Sequence, residues 1–343
     1  MKKELAVHQP IISFVPQNNF IFSILTENTP CFNQYIFENY IQTCCFYHPE
    51  WNALVSRFDD DYNRSVLKNK CLQGLFVFKE AFSLLIPNMI DYIINAIDLG
   101  FYISLNINMF YIAEYRIKHH LPHEVMIYGY CTEDKIFYIR DFFQDTYRNG
   151  CCTFDELNHA VEHYDSANIH YPYAGLLGIK PNDQQHISID LMQFCTQLHA
   201  WLNGVLNIKS VSYGVSWFDA LTFLLENDGN NIEISSFIMS IYFISQHILL
   251  MIKRTELLAG IFPKEAFILI TDSLRQLQKK VQLTKNKCIK LSFDKTKHTF
   301  NENERASLIQ SLKVFKSIYA ENIYKIAETI AAMPYSTEHY LYI

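Results

Sequence analysis

Residues His123 to Phe143 read HEVMIYGYCTEDKIFYIRDFF. Val125 to Cys131 and Ile136 to Phe142 are rich in β-branched and aromatic residues, the composition of strands. The four polar residues between them, Thr132 to Lys135, predict an antiparallel hairpin. Closing it returns Asp141 to the end of the ladder where His123 stands. A carboxylate beside an imidazole fixes its tautomer and stabilises the imidazolium formed in proton transfer, so the pair is half of a nucleophile-activating device. The other half is a nucleophile.

Working outward, Phe101, Ile103, Leu105, Ile107 and Met109 alternate with polar Ser104, Asn106 and Asn108, the period of a half-buried strand. With the hairpin it supplies three strands of an antiparallel sheet. Thr29-Pro30 offers a helix start, a capping hydroxyl followed by proline in the first turn, with the helix expected through FNQYIFENYIQTCC. Leu75 to Leu99 reads as further helix interrupted by Pro87, and Thr153 to His163 as a helix opened by a capping box at Thr153 and Glu156. From about residue 186 the chain reads as helix after helix: Ser216 to Leu225, Ile234 to Leu258, Lys264 to Leu283 and Ala306 to Ile330, the last behind a capping box at Thr299 and Glu302. The segment Tyr171 to Gln185, bearing Pro172, Gly175, Gly178 and Pro181, reads as the seam. The expected fold class is therefore α+β, an antiparallel sheet with packed helices over residues 1–180 and an all-α helical domain over 181–343.

Composition narrows the function. The 343 residues include 22 tyrosines and 26 phenylalanines, and the net charge is −6, so no electrostatic footprint for nucleic acid is present. A protein or small-molecule partner is expected. Ten glycines form neither GxGxxG nor GxxxxGK, which removes most nucleotide-dependent chemistry, and no cofactor is expected. Nine cysteines, with vicinal pairs at Cys44-Cys45 and Cys151-Cys152, form no regular framework, so reduced thiols in a cytoplasm are the expectation. Lys2 and Lys3 are followed by Glu4, His8 and Pro10 where a secretion signal needs an unbroken apolar run, so no export is expected. Ile234 to Ile252 is long enough to span a bilayer, but Ser235, Ser236, Ser240, Ser245, Gln246 and His247 punctuate it, which reads as a buried helix.

The candidate nucleophile is Cys31. It falls in the first turn after Thr29-Pro30, where a helix amino terminus stabilises a thiolate, and it would complete a Cys31, His123, Asp141 set in papain-like order. The competing reading of Cys31 is a small apolar residue at a helix start. His119, His120 and His123 form HHxxH, but the segment precedes a strand and is broken by Pro122, so no metal is expected there. Asn106 and Asn108 are expected to be solvated, and His247 to be a satisfied core histidine.

The motifs PHEVMIYGYCTEDKIFYIRDFF, YIFENYIQ, YGVSWFDAL and SQHILLMIKR together resemble proteins related to butirosin biosynthesis protein H, in particular stand-alone relatives from peptide-antibiotic gene clusters. The resemblance implies a papain-like amino-terminal domain of the kind shared with double-glycine leader peptidases. It places His123 on the family's active-site histidine and Asp141 on the acid that orients it. Gly129-Tyr130 fits the family's hairpin, with Cys131 where an aspartate is usual. The family's cysteine is expected at the start of the first long helix, where alignment on YIFENYIQ leaves Tyr35. Gln246 stands in place of a glutamate, while His247, Met251 and Arg254 remain. The implied function is a thiol-dependent acyltransferase or peptidase-like protein acting on a carrier-bound or peptidyl substrate in natural-product assembly, with an acyl or peptidyl carrier protein as partner. The alternative is a pseudoenzyme that keeps the fold as a binding or scaffold protein.

Overall fold

The computed structural model describes residues 1–29, 31–48, 53–59, 70–164, 175–182, 188–207, 210–227, 232–262, 265–294, 298–333 and 340–342. In chain order its elements are β1 (Lys2–Glu4), α1 (Pro16–Ile24), α2 (Phe32–Glu38), β2 (Thr43–His48), β3 (Ala53–Phe58), β4 (Leu72–Phe78), α3 (Phe82–Leu85), α4 (Met89–Asp98) and β5 (Tyr102–Asn108). There follow β6 (Pro122–Cys131), β7 (Ile136–Phe143), β8 (Thr146–Thr153), α5 (Phe154–Glu162), β9 (Gly175–Pro181), β10 (Ser188–Asp190), α6 (Leu191–Leu202), β11 (Ser212–Tyr213) and α7 (Trp217–Asn227). The long helices α8 (Ile234–Ile261), α9 (Glu265–Ser292) and α10 (Glu302–Ala331) come next, and β12 (Tyr340–Tyr342) is last. The fold is α+β, with an antiparallel sheet and a helical carboxy-terminal region.

The chain divides into two compact units, residues 1–32 with 61–185, and residues 33–60 with 186–343. The first is built on an antiparallel sheet ordered β4-β9-β5-β6-β7-β8, with β1 joining β6 beyond its midpoint. On one face Ile103, Leu105, Ile107, Val125, Ile127 and Ile139 form a core with Ile93 and Ile97 of α4 and Leu157, Ala160 and Val161 of α5. On the other face α1 is tied to the sheet by Gln17 to Glu124 and Ser23 to Tyr147. Helices on both faces explain a departure from the sequence reading. The polar residues of β5, expected on a solvated face, include Ser104 and Asn108 as buried groups.

Two segments differ from expectation. Leu75 to Phe78, read as helix, belong to strand β4, and the described part of the Tyr171 to Gln185 seam is strand β9, lying between β4 and β5. The apolar run Leu176, Leu177 and Ile179 is buried, as a strand covered on both faces requires, and that pairing outweighs the local glycine signal. Gly175 permits it: a Cβ there would lie 2.3 Å from Val77 O of the neighbouring strand. Gly175→Ala is therefore expected to cost about 1–3 kcal/mol in urea denaturation, the usual penalty for forcing atoms into a packed interior.

The second unit takes in residues 33–60 besides the chain from His186. The helix expected through Cys45 ends at Glu38, Tyr40 adopts a left-handed φ of 61°, and Thr43–His48 continues as β2. Arg254 of α8, wholly buried, makes this stop. Its Nε donates to Ile36 O at 2.8 Å and its Nη2 to Asn39 O at 2.6 Å and Tyr40 O at 3.2 Å, taking up carbonyls that a helix end leaves unpaired. His247 lies nearby, with Nε2 2.9 Å from Ile41 O and Nδ1 2.8 Å from Tyr319 Oη. The carbonyl can only accept, so Nε2 carries the proton and Nδ1 accepts from the tyrosine. Burial and then the Arg254 charge push the His247 pKa down to about 3, so it stays neutral. Trp201 Nε1 donates to Thr43 Oγ1 and Trp217 Nε1 to Ser56 Oγ, attaching β2 and β3 to α6 and α7. Helix α8 has the length and composition to cross a bilayer, and 67% of its apolar window is buried. The capping box of α10 is formed by Asn301 and Glu304 rather than Thr299 and Glu302.

Candidate functional site

His123 and Asp141 meet where β6 and β7 run side by side. His123 Nε2 lies 2.9 Å from Asp141 Oδ2, with the ring N–H off the line to the oxygen, so the contact is a close charge pairing rather than an in-line hydrogen bond. A bulge makes the meeting possible. Cys131 pairs with Ile136 and Gly129 with Tyr138, but from Ile127 toward the start of the strand the register shifts, leaving Tyr128 as the extra residue. In the register set by the turn alone, Asp141 would stand opposite Met126 and share a face with Glu124; after the bulge it shares the face of Val125 and His123.

Asp141 is fully buried and held by three groups. Besides His123, Tyr115 Oη donates to Oδ2 at 2.6 Å and the Phe142 amide donates to Oδ1 at 2.7 Å. Burial, then the Asp141 charge and its hydrogen bond, raise the Tyr115 pKa well above its usual value, so the phenol remains a donor. Burial opposes the His123 charge, yet Asp141 outweighs it and, with a smaller contribution from Glu124, raises the imidazole pKa above its ordinary value. The His123 side chain keeps 26% exposure, and among the described residues nothing bonds its Nδ1. An imidazole anchored through one nitrogen and open at the other is arranged to exchange a proton with an incoming group.

On the opposite face Glu124 accepts from Ser104 Oγ and from Gln17 Nε2, the latter at 2.6 Å. Burial raises the Glu124 pKa despite both bonds. Helix α1 thus brings its first turn to the residue beside His123, and that turn reads Pro16, Gln17, Asn18, Asn19. It carries no sulfur.

Cys31 is not brought to His123 and Asp141. It is buried just before α2, with Sγ 3.4 Å from Cys71 O. Leu72 pairs with Pro181, Ile179 with Tyr102 and Ile107 with His123. These registers place Cys71 and His123 about eight residue steps apart along the strands, roughly 25 Å at ~3.3 Å per residue. Cys31 therefore sits at the far end of the sheet, beside Cys71 where the chain enters β4, the strand whose residues from Leu75 onward read as helix in the sequence. Among the described residues no sulfur hydrogen-bonds to His123, and burial pushes the Cys152 thiol of β8 well up in pKa.

His119 and His120 are exposed, and no group of three metal-binding side chains is present among the described residues. His120 Nδ1 lies 3.1 Å from Asn108 Nδ2, and Asn106 Oδ1 accepts from Gly175 N. Asn108 also donates to His163 O and accepts from the Phe110 and Leu121 amides, so both asparagines bond the backbone. Tyr115 and Gln17 carried no sequence signal. Glu124 did: a carboxylate within an apolar strand, next to the histidine. Comparison with known proteins finds no matching family model and no matching curated sequence.

Proposed function

We propose that this protein is a papain-like pseudoenzyme of natural-product assembly, which keeps the histidine and acid of a cysteine-dependent acyltransferase or peptidase and binds a carrier-held acyl or peptidyl group without forming a thioester to itself. The observation that carries this is the position of Cys31, at the other end of the sheet from His123. Support also comes from α1, whose first turn meets Glu124 with an amide side chain. The substrate class and the carrier-protein partner rest on the resemblance of the hairpin and of SQHILLMIKR to relatives of butirosin biosynthesis protein H.

Alkylation and thioester titration test the reading together. Iodoacetamide is expected to label Cys31 no faster in the wild-type protein than in His123→Ala, since an activated thiol needs the imidazole within reach. Titration with a peptidyl N-acetylcysteamine thioester is expected to shift the His123 ring resonances while thiol release stays at the buffer rate. Release above that rate, abolished by His123→Ala, would show a working catalyst and end the pseudoenzyme assignment.

A further inference from the structure

Cys31 and Cys71 stand 40 positions apart in sequence and side by side in space. Cys31 Sγ donates to Cys71 O at 3.4 Å, and Cys71 Sγ donates to Cys31 O at 3.2 Å. Reciprocal contacts of this kind set two cysteine backbones alongside each other, and rotation about the Cα–Cβ bonds is the motion that turns the sulfurs toward one another. The vicinal pairs Cys44-Cys45 and Cys151-Cys152 lack this freedom, because adjacent residues close a disulfide only with strain.

Their place in the chain gives the pair a role. In sequence the first unit is interrupted after Phe32 and resumes at Asp61, so Cys31 lies just before the interruption and Cys71 ten positions past Asp61. We infer that Cys31 and Cys71, both in the first unit, form a reversible disulfide that closes the loop of chain holding residues 33–60. With a small disulfide such as oxidised glutathione, the Cys31 thiolate attacks one sulfur and releases one glutathione thiol. The Cys71 thiolate then attacks the Cys31 sulfur of the mixed disulfide and releases the second. The cysteine pair loses two electrons and two protons, and the glutathione disulfide gains both as two thiols. Closing a long loop restricts the unfolded chain, so the oxidised protein is the more stable form. Both thiols are nearly sealed, at 3% and 1% exposure, so their oxidation is slower than that of exposed Cys151.

The test equilibrates the full-length protein in glutathione buffers of increasing oxidising strength, followed by acid quench, N-ethylmaleimide alkylation, digestion without reductant and mass spectrometry. The expected result is a peptide pair joining Cys31 to Cys71, reversed by dithiothreitol, with a urea midpoint shifted upward in the oxidised protein. Cys151→Ser, at an exposed position, should retain both the crosslink and the shift, whereas Cys31→Ser and Cys71→Ser should each lose both. Recovery of Cys31 and Cys71 as alkylated thiols under conditions that glutathionylate Cys151, or their joining to other cysteines, overturns the inference.

Discussion

Arg254→Ala is expected to lose about 3–5 kcal/mol of stability, a large share of the 5–15 kcal/mol that holds a typical domain. Wholly buried, the guanidinium donates to three carbonyls at the end of α2 and lies 2.9 Å from Met251 Sδ. Removing it leaves those acceptors without their charged donor, each costing on the order of 1–3 kcal/mol if nothing replaces it, and opens a cavity besides. Arg254→Met separates the contributions, since it restores much of the volume and none of the donors. Urea denaturation of both variants should show most of the loss persisting in Arg254→Met. Near-recovery of the wild-type midpoint in that variant would mean that the carbonyls are satisfied without the arginine, and that α2 ends where it does for another reason.

The second large effect is a reversal in pH dependence on changing Asp141 to asparagine. In the wild-type protein the folded state holds the His123 proton more tightly than the unfolded chain does. The stability contributed by the pair is therefore full below the ordinary histidine pKa of about 6.5 and declines as pH rises through the raised folded value. Asp141→Asn removes the charge that raises this pKa while leaving His123 buried, so the folded pKa falls below the ordinary value. Stability attributable to His123 then rises as pH approaches about 6.5, whereas in the wild-type protein it is constant there and falls only as pH climbs through the raised value, so the two profiles diverge across about pH 5–8. Glu124 also titrates above its usual range, so the informative quantity is the difference between the two proteins, measured by urea denaturation across that window beside NMR titration of the His123 ring. Parallel pH profiles would mean that Asp141 does not set the charge of His123. Asp141→Ala should in addition lose about 3 kcal/mol, because Tyr115 and the Phe142 amide are left facing a site without an acceptor.

The surroundings of Cys31, rather than its place at a helix start, decide what its thiol can do. A thiol in the first turn of a helix satisfies one condition for activation, the local dipole, and leaves the other, an imidazole within reach, to the rest of the fold. Here the local condition and the global one part company. The residue that does approach the histidine's neighbourhood from a helix start is Gln17, on the short α1.

Much of the first unit was legible in the chain. Alternation from Phe101 to Met109, two β-rich runs flanking TEDK, and Thr153 with Glu156 are signals carried within a few residues, and each formed where the pattern placed it. So were the four long stretches that became α7 to α10, because a helix satisfies its backbone within its own segment. Strands β4 and β9 were not legible, since each is stabilised by a partner about a hundred residues away and neither Gly74 nor Gly175 and Gly178 favours a strand locally.

The sequence by itself determined that an imidazole and a carboxylate would return to the same end of one hairpin. Only tertiary structure decided that they share a face, because the extra residue at Tyr128 inverts the parity of everything beyond it, and parity belongs to a register and not to a composition. Tertiary structure likewise decided that Cys31 would lie beside Cys71, since the hydrogen bonds between β4 and β9 fix which end of the sheet that segment reaches.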